Sequence, residues 1–300
     1  MREELFKNCT LCPRKCNVNR LEGKRGYCGM DSTIRAARAA LHMWEEPCIS
    51  GKKGSGAVFF SGCGMRCCFC QNRDIAIGDS GKEITVERLA EIFLELQEKG
   101  AANLKLVTGA HYVPHIISAL ELARGKGMNL PVVYNSSGYE SVETIRRLDG
   151  YVDVYLPDMK YMEPELAAAF SNARDYPQMA QSAIAEMLRQ TGPCQFFEDG
   201  YIKRGTIVRH LILPGHTKNS IAVLKYLYRT YGEDIFISVM NQYTSVWKNE
   251  KFPELNRKVT RREYEKVLDA AIELGIENGY FQEGETAEES FIPAFDYEGV

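Results

Sequence analysis

Three closely spaced cysteines, Cys63, Cys67 and Cys70, form a C-x3-C-x2-C motif directly after an apolar run. Thiolates at this spacing can ligate three irons of a [4Fe-4S] cube, which leaves the fourth iron open to a ligand from outside the protein. The alternative is a structural zinc site or a set of buried thiols, but zinc sites usually combine paired C-x2-C knuckles. The uneven spacing therefore predicts the cluster. Cys68 interrupts the motif, and its use as a ligand would give a poor cluster spacing, so we predict that it is a small apolar residue.

A second group of cysteines, Cys9, Cys12, Cys16 and Cys28, lies near the N-terminus in a stretch that proline and glycine interrupt. Such a segment buries little apolar surface, so something other than a core must hold it. Four thiolates can bind a structural Zn2+ or a second iron–sulfur cluster, and the C-x2-C knuckle favours zinc. Four unligated thiols are a third interpretation.

From residue 56 onward, short apolar runs alternate with amphipathic segments, which predicts repeated strand–helix units and a parallel sheet. Six or seven strands are too few for a closed eight-stranded barrel. The predicted fold class is therefore α/β, a partial (β/α)6-type barrel open on one side, with a longer helical excursion at residues 163–205. Strands are predicted at 57–60, 104–107, 132–134, 152–156, 207–213, 236–239 and 280–282. Helices are predicted at 84–100, 114–124, 141–148, 218–231 and 260–275, the last opening with a capping box at Thr260–Glu263.

Composition and charge indicate how the chain is divided and which classes of partner it lacks. We divide the chain into a cysteine-rich knuckle with a lead-in segment at residues 1–50 and a barrel at residues 51–300. A net charge of −3 and a pI near 6.1, without basic runs among aromatics, argue against a nucleic-acid partner. No apolar segment reaches the roughly 18 residues of a membrane span, so we expect no membrane partner. Cysteines at ligand-like spacings predict a cytoplasmic, reducing location.

Polar residues follow several predicted strands, at the barrel end where ligands bind. Asp158 and Lys160 are two residues apart and should point to the same side, where they can pair with each other or bind the two charges of an amino acid. A simple ion pair that caps the strand is the alternative. The candidate site residues are Thr108, Gly109, Asn135, Ser137, Asp158, Lys160, Arg209 and Gln242.

Other ionisable residues near these positions leave several interpretations open. His111 and His115 have an H-x3-H spacing, which suits a metal pair, a site-facing His111 or structural histidines. Glu45 and Glu46 precede the barrel in a run expected to lie across its mouth. There they could bind a cationic substrate group or form a solvated face.

The cluster loop resembles that of radical S-adenosylmethionine (SAM) enzymes. Within that superfamily the chain is most similar to the glycyl-radical-enzyme activating group, in particular its pyruvate formate-lyase activating enzyme-like branch, which is related to the AmmeMemoRadiSam proteins. The narrower resemblance covers nearly the whole chain. It rests on the cluster loop and on the runs CPR at 12–14, HMWEEPCISG at 42–51, YLPDMK at 155–160, RHL at 209–211 and MNQY at 240–243.

The resemblance implies cofactors and roles for the candidate residues. In these enzymes the open iron chelates the amino and carboxylate groups of SAM, and the reduced cluster cleaves SAM to a 5′-deoxyadenosyl radical. The position of Asp158 and Lys160, with the polar run at Asn135 and Ser137, implies that they line the SAM site. Arg209 matches an arginine that contacts SAM in relatives.

Two positions depart from the pattern of the family. Thr108 and Gly109 stand at a Gly-Gly-Glu run whose backbone helps to hold the SAM amino group, but the glutamate is missing here. Gln242 stands near a position where better-known activating enzymes carry a histidine close to the adenosine. The missing glutamate does not affect a role for the backbone of Thr108 and Gly109. The replacement of the histidine removes the side chain that lies close to the adenosine in those enzymes.

The resemblance implies an oxidoreductase that abstracts hydrogen from an unreactive C–H bond, with an electron donor such as a flavodoxin or ferredoxin. One substrate hypothesis is a glycine Cα–H in a partner glycyl radical enzyme. The second is direct modification of a peptide or a small metabolite. A hypothesis from another class is a non-catalytic iron–sulfur redox protein, which would usually hold its cluster with four protein thiolates and need no SAM pocket.

Overall fold

The computed structural model describes residues 4–78, 80–282 and 293–300, which form a mixed α/β fold around one sheet. Its strands are β1 (Ile34–His42), β2 (Ser55–Phe60), β3 (Lys82–Ile84), β4 (Leu104–Val107), β5 (Val132–Ser136), β6 (Val154–Pro157), β7 (Gln195–Phe196), β8 (Ile202–Leu211), β9 (Phe236–Met240) and β10 (Gly279–Phe281). Its α-helices are α1 (Glu4–Lys7), α2 (Arg73–Ala76), α3 (Val86–Glu98), α4 (Val113–Gly125), α5 (Val142–Arg147), α6 (Pro164–Ser171), α7 (Tyr176–Thr191), α8 (Thr217–Tyr231) and α9 (Arg261–Leu274). Short 3-10 helices lie at Arg20–Glu22, Ala110–Tyr112, Gly232–Asp234 and Pro253–Asn256.

Seven parallel strands make up the barrel, in the order β10-β9-β8-β6-β5-β4-β2. The sheet continues beyond β2 through the antiparallel strands β1 and β3, and its two ends, β10 and β3, do not pair. The predicted partial barrel, open on one side, is therefore confirmed. All seven parallel strands were predicted from sequence because each is a short apolar run.

Three strands were not predicted. The strand β1 reads IRAARAALH, which lacks the β-branched density of a typical strand, and it acquires its extended form by pairing with β2. The strands β3 and β7 contain three and two residues. Pairing with a neighbour, rather than local preference, makes such short segments extended.

Side-chain alternation along the strands separates the barrel interior from the helical shell. On β5, Tyr134 faces the helices and packs in the core with α3 and α4, whereas Val133 faces the interior. The loop at residues 43–50, here called the lead-in loop, inserts Cys48 and Ile49 among the interior side chains of the central strands. The lead-in loop thus fills the lower end of the barrel and forms the floor of the space above it.

The predicted excursion at residues 163–205 contains α6 and α7 followed by β7 and the start of β8. The helix α6 ends at Asn172, whose φ of 51° is left-handed. The predicted capping box of α9 is present, since Thr260 and Glu263 exchange side-chain and backbone hydrogen bonds. Among the described residues, no helix has both the length and the apolar character needed to cross a bilayer.

Candidate active site

A cavity of about 240 Å³ opens at the carboxyl ends of the parallel strands. Its wall contains all but one of the residues predicted for the barrel site, and only Gly109 is absent from it. Those that line the cavity are Cys63, Cys67, Cys70, Thr108, Asn135, Ser137, Asp158, Lys160, Arg209 and Gln242. The fold thus brings together polar side chains from five strand ends and from the cysteine loop after β2.

The cysteine loop is shaped by residues that accept left-handed backbone. Gly62 has a φ of 88° and Arg66 a φ of 53°, which turn the chain sharply after β2. The amide of Met65 donates to Cys63 Sγ at 3.4 Å. The hydroxyl of Ser171, at the end of α6, donates to Cys67 Sγ at 3.0 Å. The loop is therefore held by its own backbone and by α6, and its three motif thiols line the cavity.

The environment of the three thiols suits a polynuclear cluster. Burial raises the pKa of Cys67 to about 11, against the opposing charge of Lys160, and burial also raises the pKa of Cys70. Buried thiols of this kind become thiolates when a metal centre supplies the compensating charge. In the part of the chain that the structure describes, no three cysteine, histidine or carboxylate side chains converge as ligands of a single ion do. A cube of four irons needs ligands that stand further apart.

Cys68 is absent from the wall of the main cavity, which all three motif cysteines line. Its side chain contributes to a second depression together with Trp247 and Asn249, and Cys67 and Cys70 border this depression as well. Burial raises the pKa of its thiol. This placement agrees with the prediction that Cys68 is not a ligand.

Charged residues from two strands form one network beside the cysteines. Lys160 Nζ lies 2.5 Å from Asp158 Oδ2, and Arg209 Nε lies 3.4 Å from Asp158 Oδ1. Burial alone would raise the pKa of Asp158, but the two cations outweigh it and hold this pKa below its usual value. Asp158 is therefore a buried anion with two cationic partners. His210 faces away from Arg209, and its Nδ1 lies 2.7 Å from the carbonyl of Met159.

The floor of the cavity carries a buried ion pair that sequence reasoning missed. Lys105, on β4, contacts Glu45 of the lead-in loop, and Arg209 Nη1 lies 2.9 Å from the second carboxylate oxygen of Glu45. Burial opposes the charge of Glu45, yet these cations hold its pKa near 2. Glu45 and Glu46 are buried inside the barrel, so the expected position across its mouth and the solvated-face interpretation are wrong. In the sequence, the indication of this ion pair is a lysine inside an otherwise apolar strand.

Two loops place backbone atoms next to the cavity. Thr108 has a φ of 60° and its amide donates to the carbonyl of Asn135 at 3.0 Å. Gly109 packs away from the cavity, and a Cβ there would lie 2.6 Å from Ile116. Gly138 has a φ of 76°, and a Cβ on it would collide with the carbonyl oxygen of Asp158. Close backbone approach, which only glycine permits, therefore sets the spacing of these loops.

Gln242 follows β9 and contacts two other glutamine side chains. Its Oε1 accepts from Gln282 Nε2 at 3.2 Å, and its carbonyl accepts from Gln71 Nε2 at 3.2 Å. The adjacent Tyr243 is buried, and its hydroxyl donates to the carbonyl of Leu255 at 2.7 Å. Gln242 therefore connects the loop after the third cysteine to the last two strands of the barrel.

The two histidines with H-x3-H spacing do not form a metal pair. His111 Nε2 lies 2.7 Å from the carbonyl of Ser61, directly before the cysteine loop. His115 Nε2 lies 2.8 Å from the carbonyl of Ser32. Burial lowers the pKa of His111 to about 3, with Arg20 as a further cause. His111 is a neutral, buried support for the loop and does not line the main cavity.

The N-terminal cysteines lie behind the cysteine loop, outside the main cavity. Cys12 faces Gly64, since a Cβ on that glycine would lie 3.6 Å from Cys12 Sγ. Arg14 donates to the carbonyl of Gly64 at 2.8 Å and to that of Ser171 at 3.2 Å. The knuckle is thus attached directly to the loop that carries Cys63 and Cys67.

Comparison with known families places the chain clearly. The family described as the Radical SAM superfamily matches residues 57–227, which is more than half of the chain. The chain is 30% identical over 276 residues to the uncharacterized protein MJ0674 of Methanocaldococcus jannaschii, covering 90% of this chain and 75% of that protein.

A partial relative and a solved structure extend the comparison. The pyruvate formate-lyase-activating enzyme of Clostridium pasteurianum is 27% identical over 113 residues, covering 36% of this chain and 46% of that enzyme. The structure of native anSMEcpe with bound AdoMet superposes with a TM-score of 0.50 at 12% identity, covering 76% of this chain. The chain spans 58% of the length of that protein, and the likeness is one of fold.

Proposed function

The chain belongs to the radical SAM superfamily, and we propose that it reductively cleaves SAM at a cluster held by Cys63, Cys67 and Cys70. A [4Fe-4S] cluster with bound SAM supplies a 5′-deoxyadenosyl radical, which abstracts hydrogen from a substrate C–H bond. One observation carries this proposal: the three thiols line the same cavity as the charged network of Asp158, Lys160 and Arg209. The reducing electron comes from a donor such as a flavodoxin or ferredoxin.

The protein side chains bind and orient SAM. Lys160 and Arg209 present cationic donors beside the cysteines, where the methionyl carboxylate of SAM requires them. Asp158 accepts from both and keeps their side chains in fixed positions. Asn135 and Ser137 add neutral polar groups to the same wall. Such fixed positioning is the main contribution a protein makes to chemistry that a cofactor performs.

We propose a glycine Cα–H of a partner chain as the substrate. The partial similarity to the activating enzyme of Clostridium pasteurianum supports this proposal, since that enzyme by its name activates pyruvate formate-lyase. The placement of the chain in the activating-enzyme-like branch is part of the same proposal. It rests on the runs at 155–160 and 240–243, which lie at the cavity.

A peptide or a small metabolite is a second candidate, and the cavity floor favours it. Lys105, Glu45 and Arg209 concentrate charge beneath the proposed SAM site, where a small charged substrate would be held. Gln242 stands near the position at which better-known activating enzymes carry a histidine. These two features distinguish the cavity from the activating pattern.

Deuterium transfer separates the two substrates. The loaded protein is incubated with SAM, a reductant and a glycine-loop peptide carrying deuterium at the glycine Cα, and 5′-deoxyadenosine is analysed by mass spectrometry. Deuterium in the product supports glycine as the substrate. SAM cleavage without deuterium transfer from this peptide directs the search to other peptides and to charged metabolites.

A further inference from the structure

The four N-terminal cysteines form one group in space. A Cβ on Gly26 would lie 3.3 Å from Cys16 Sγ and 3.9 Å from Cys28 Sγ, so both sulfurs flank the same glycine. Cys12 and Cys28 line one small cavity, and the side chain of Arg20 reaches Cys9 Sγ at 3.9 Å. Residues nineteen positions apart in sequence, from Cys9 to Cys28, are thereby brought to one place.

Backbone amides are directed at these sulfurs. The amide of Tyr27 donates to Cys16 Sγ at 3.2 Å. The backbone of Arg14 bonds the thiol of Cys12, and that of Met30 bonds the thiol of Cys28. Amides that point at sulfur stabilise the thiolate rather than the thiol. Burial acts against these amides and is the larger effect, since it raises the pKa of Cys12 and that of Cys28. A bound metal centre would supply the compensating positive charge.

A buried cation next to the group has no carboxylate partner among the residues that the structure describes. Arg20 is fully buried, with Nη1 2.6 Å from the carbonyl of His111 and 3.9 Å from Cys9 Sγ. Its other described hydrogen bonds go to the carbonyl of Asp31, and across residues 4–78, 80–282 and 293–300 it makes no ion pair with a carboxylate. Buried charges in proteins are normally paired. A centre of four thiolates would supply the missing negative charge.

A buried carboxyl group faces the space between the two cysteine groups. A cavity of about 20 Å³ is lined by Cys12 and Cys28 on one side and Cys63 on the other, together with Glu140. Glu140 is 3% exposed, and its Oε2 has no hydrogen-bond partner among the described residues. Since cluster sulfurs only accept hydrogen bonds, the group that Glu140 could offer them is the O–H of a protonated carboxyl.

We propose that Cys9, Cys12, Cys16 and Cys28 hold a second iron–sulfur cluster rather than zinc. A zinc ion would draw its four sulfurs to about 2.3 Å from one point, and no three such ligands converge within the described residues. The same is true of Cys63, Cys67 and Cys70, for which the family implies a cluster. Neither group converges on one point as the ligands of a single ion do, and this shared property favours a polynuclear centre at the N-terminal cysteines.

The position of this second cluster gives it a role in electron supply, which rests on the proposed function. Cys12 packs on Gly64, next to Cys63, so the two centres would be separated by one loop. One electron passes from the reduced knuckle cluster to the oxidised cluster at Cys63, Cys67 and Cys70. Each reductive cleavage of SAM consumes one electron and releases one methionine.

Metal analysis tests the site without relying on activity. Iron, acid-labile sulfide and zinc are measured in anaerobically prepared protein, in the Cys63→Ala/Cys67→Ala/Cys70→Ala variant and in a Cys12→Ala/Cys16→Ala variant. We expect about eight irons per chain in the parent and about four in each variant. Cys194→Ala, a half-buried cysteine outside both groups, is the matched control and should keep the parental content.

The triple variant decides the identity of the metal because its knuckle is unchanged. About four irons and an electron paramagnetic resonance signal on reduction support the proposal. One zinc and no iron in that variant overturns it. This outcome remains decisive even where the Cys12→Ala/Cys16→Ala variant fails to fold.

Electron counting tests the role. The protein is reduced with dithionite, desalted and mixed with SAM, and methionine is quantified per chain. Two stored electrons predict about twice as much methionine from the parent as from a folded Cys12→Ala/Cys16→Ala variant. Equal yields from the two overturn the electron role. Absence of methionine from a fully loaded parent would contradict the proposed function, while the metal analysis would still decide the site.

Discussion

Lys105 and Glu45 determine the charge on the floor of the cavity. Lys105 is 1% exposed and Glu45 7%, so both depend on each other and on Arg209 for compensation. We predict that Lys105→Met lowers the free energy of unfolding by about 3 kcal/mol, because it leaves a buried carboxylate with one cation fewer. Chemical denaturation of the variant measures this loss.

A double-mutant cycle measures the interaction between Lys105 and Glu45. Lys105→Met/Glu45→Gln should recover part of the loss, since neither charge then remains buried without its partner. Losses that simply add in the double variant would show that the two side chains do not interact and would contradict the described floor.

At the residue scale, local spacing was a sufficient guide for the cysteine loop and for the pair Asp158 and Lys160. It failed for Lys105 because one lysine in the strand LKLV gives no sign of its partner. That partner, Glu45, lies 60 positions earlier in the chain. Only the insertion of the lead-in loop into the barrel brings them together.

At the scale of elements, the loop after β5 controls the position of the strand end that carries Asp158. Gly138 abuts the carbonyl of Asp158 and has a left-handed φ of 76°. We predict that Gly138→Ala shifts Asp158 and Lys160 and lowers the rate of SAM cleavage about 100-fold, as expected for a displacement near 1 Å in a binding site. The rate of 5′-deoxyadenosine formation measures the effect.

Gly125→Ala is the matched control for that substitution. Gly125 ends α4, and a Cβ on it would meet no atom within 4 Å. The control should keep the parental rate and stability. A Gly138→Ala protein with unchanged activity would show that the contact between this loop and Asp158 does not position SAM.

The parallel strands and the main helices were predictable because each buries a continuous apolar run or stripe. The strand β1 was not, since its alanines and arginines become a strand only against β2. The positions of turns depend on residues with a left-handed backbone conformation, such as Thr108. The sequence alone does not identify these residues. The predicted boundaries of elements were therefore less accurate than the predictions of which elements exist.

At the scale of the whole molecule, segments distant in sequence close the site. The knuckle reaches the end of α6 through Arg14, which spans 157 positions to Ser171. The lead-in loop reaches β8 through Glu45, which spans 164 positions to Arg209. No local pattern encodes contacts of this range, so the residues of each group were predictable from the sequence but the contacts between the groups were not.

The buried histidines predict how stability varies with pH. Burial lowers the pKa of His111 to about 3 and of His210 to about 4, whereas both would titrate near 6.5 when unfolded. Since the folded pKa is depressed, their contribution is present above pH 6.5 and falls as the pH is lowered. Between pH 7.5 and 5.5 we expect a loss of roughly 1 kcal/mol for each histidine.

Thermal unfolding of the loaded protein across this range measures the loss. His210→Gln should remove the part of the decline that His210 contributes, roughly 1 kcal/mol, while His111 and His42, which is partly buried and also has a lowered pKa, continue to titrate. The raised pKa of Glu140 changes stability in the opposite direction over this range, so the parent and the variant must be compared. The same pH dependence in the parent and in His210→Gln would show that His210 is not buried in its neutral form.

The central claim is that Cys63, Cys67 and Cys70 hold the cluster at which SAM is cleaved. The measurement that tests it most directly is the formation of 5′-deoxyadenosine and methionine by anaerobically loaded, reduced protein. We predict both products from the parent and from Cys68→Ala, and neither from Cys63→Ala/Cys67→Ala/Cys70→Ala. Products from the triple variant, or none from a parent whose cluster is loaded, reduced and bound to SAM, would contradict the account.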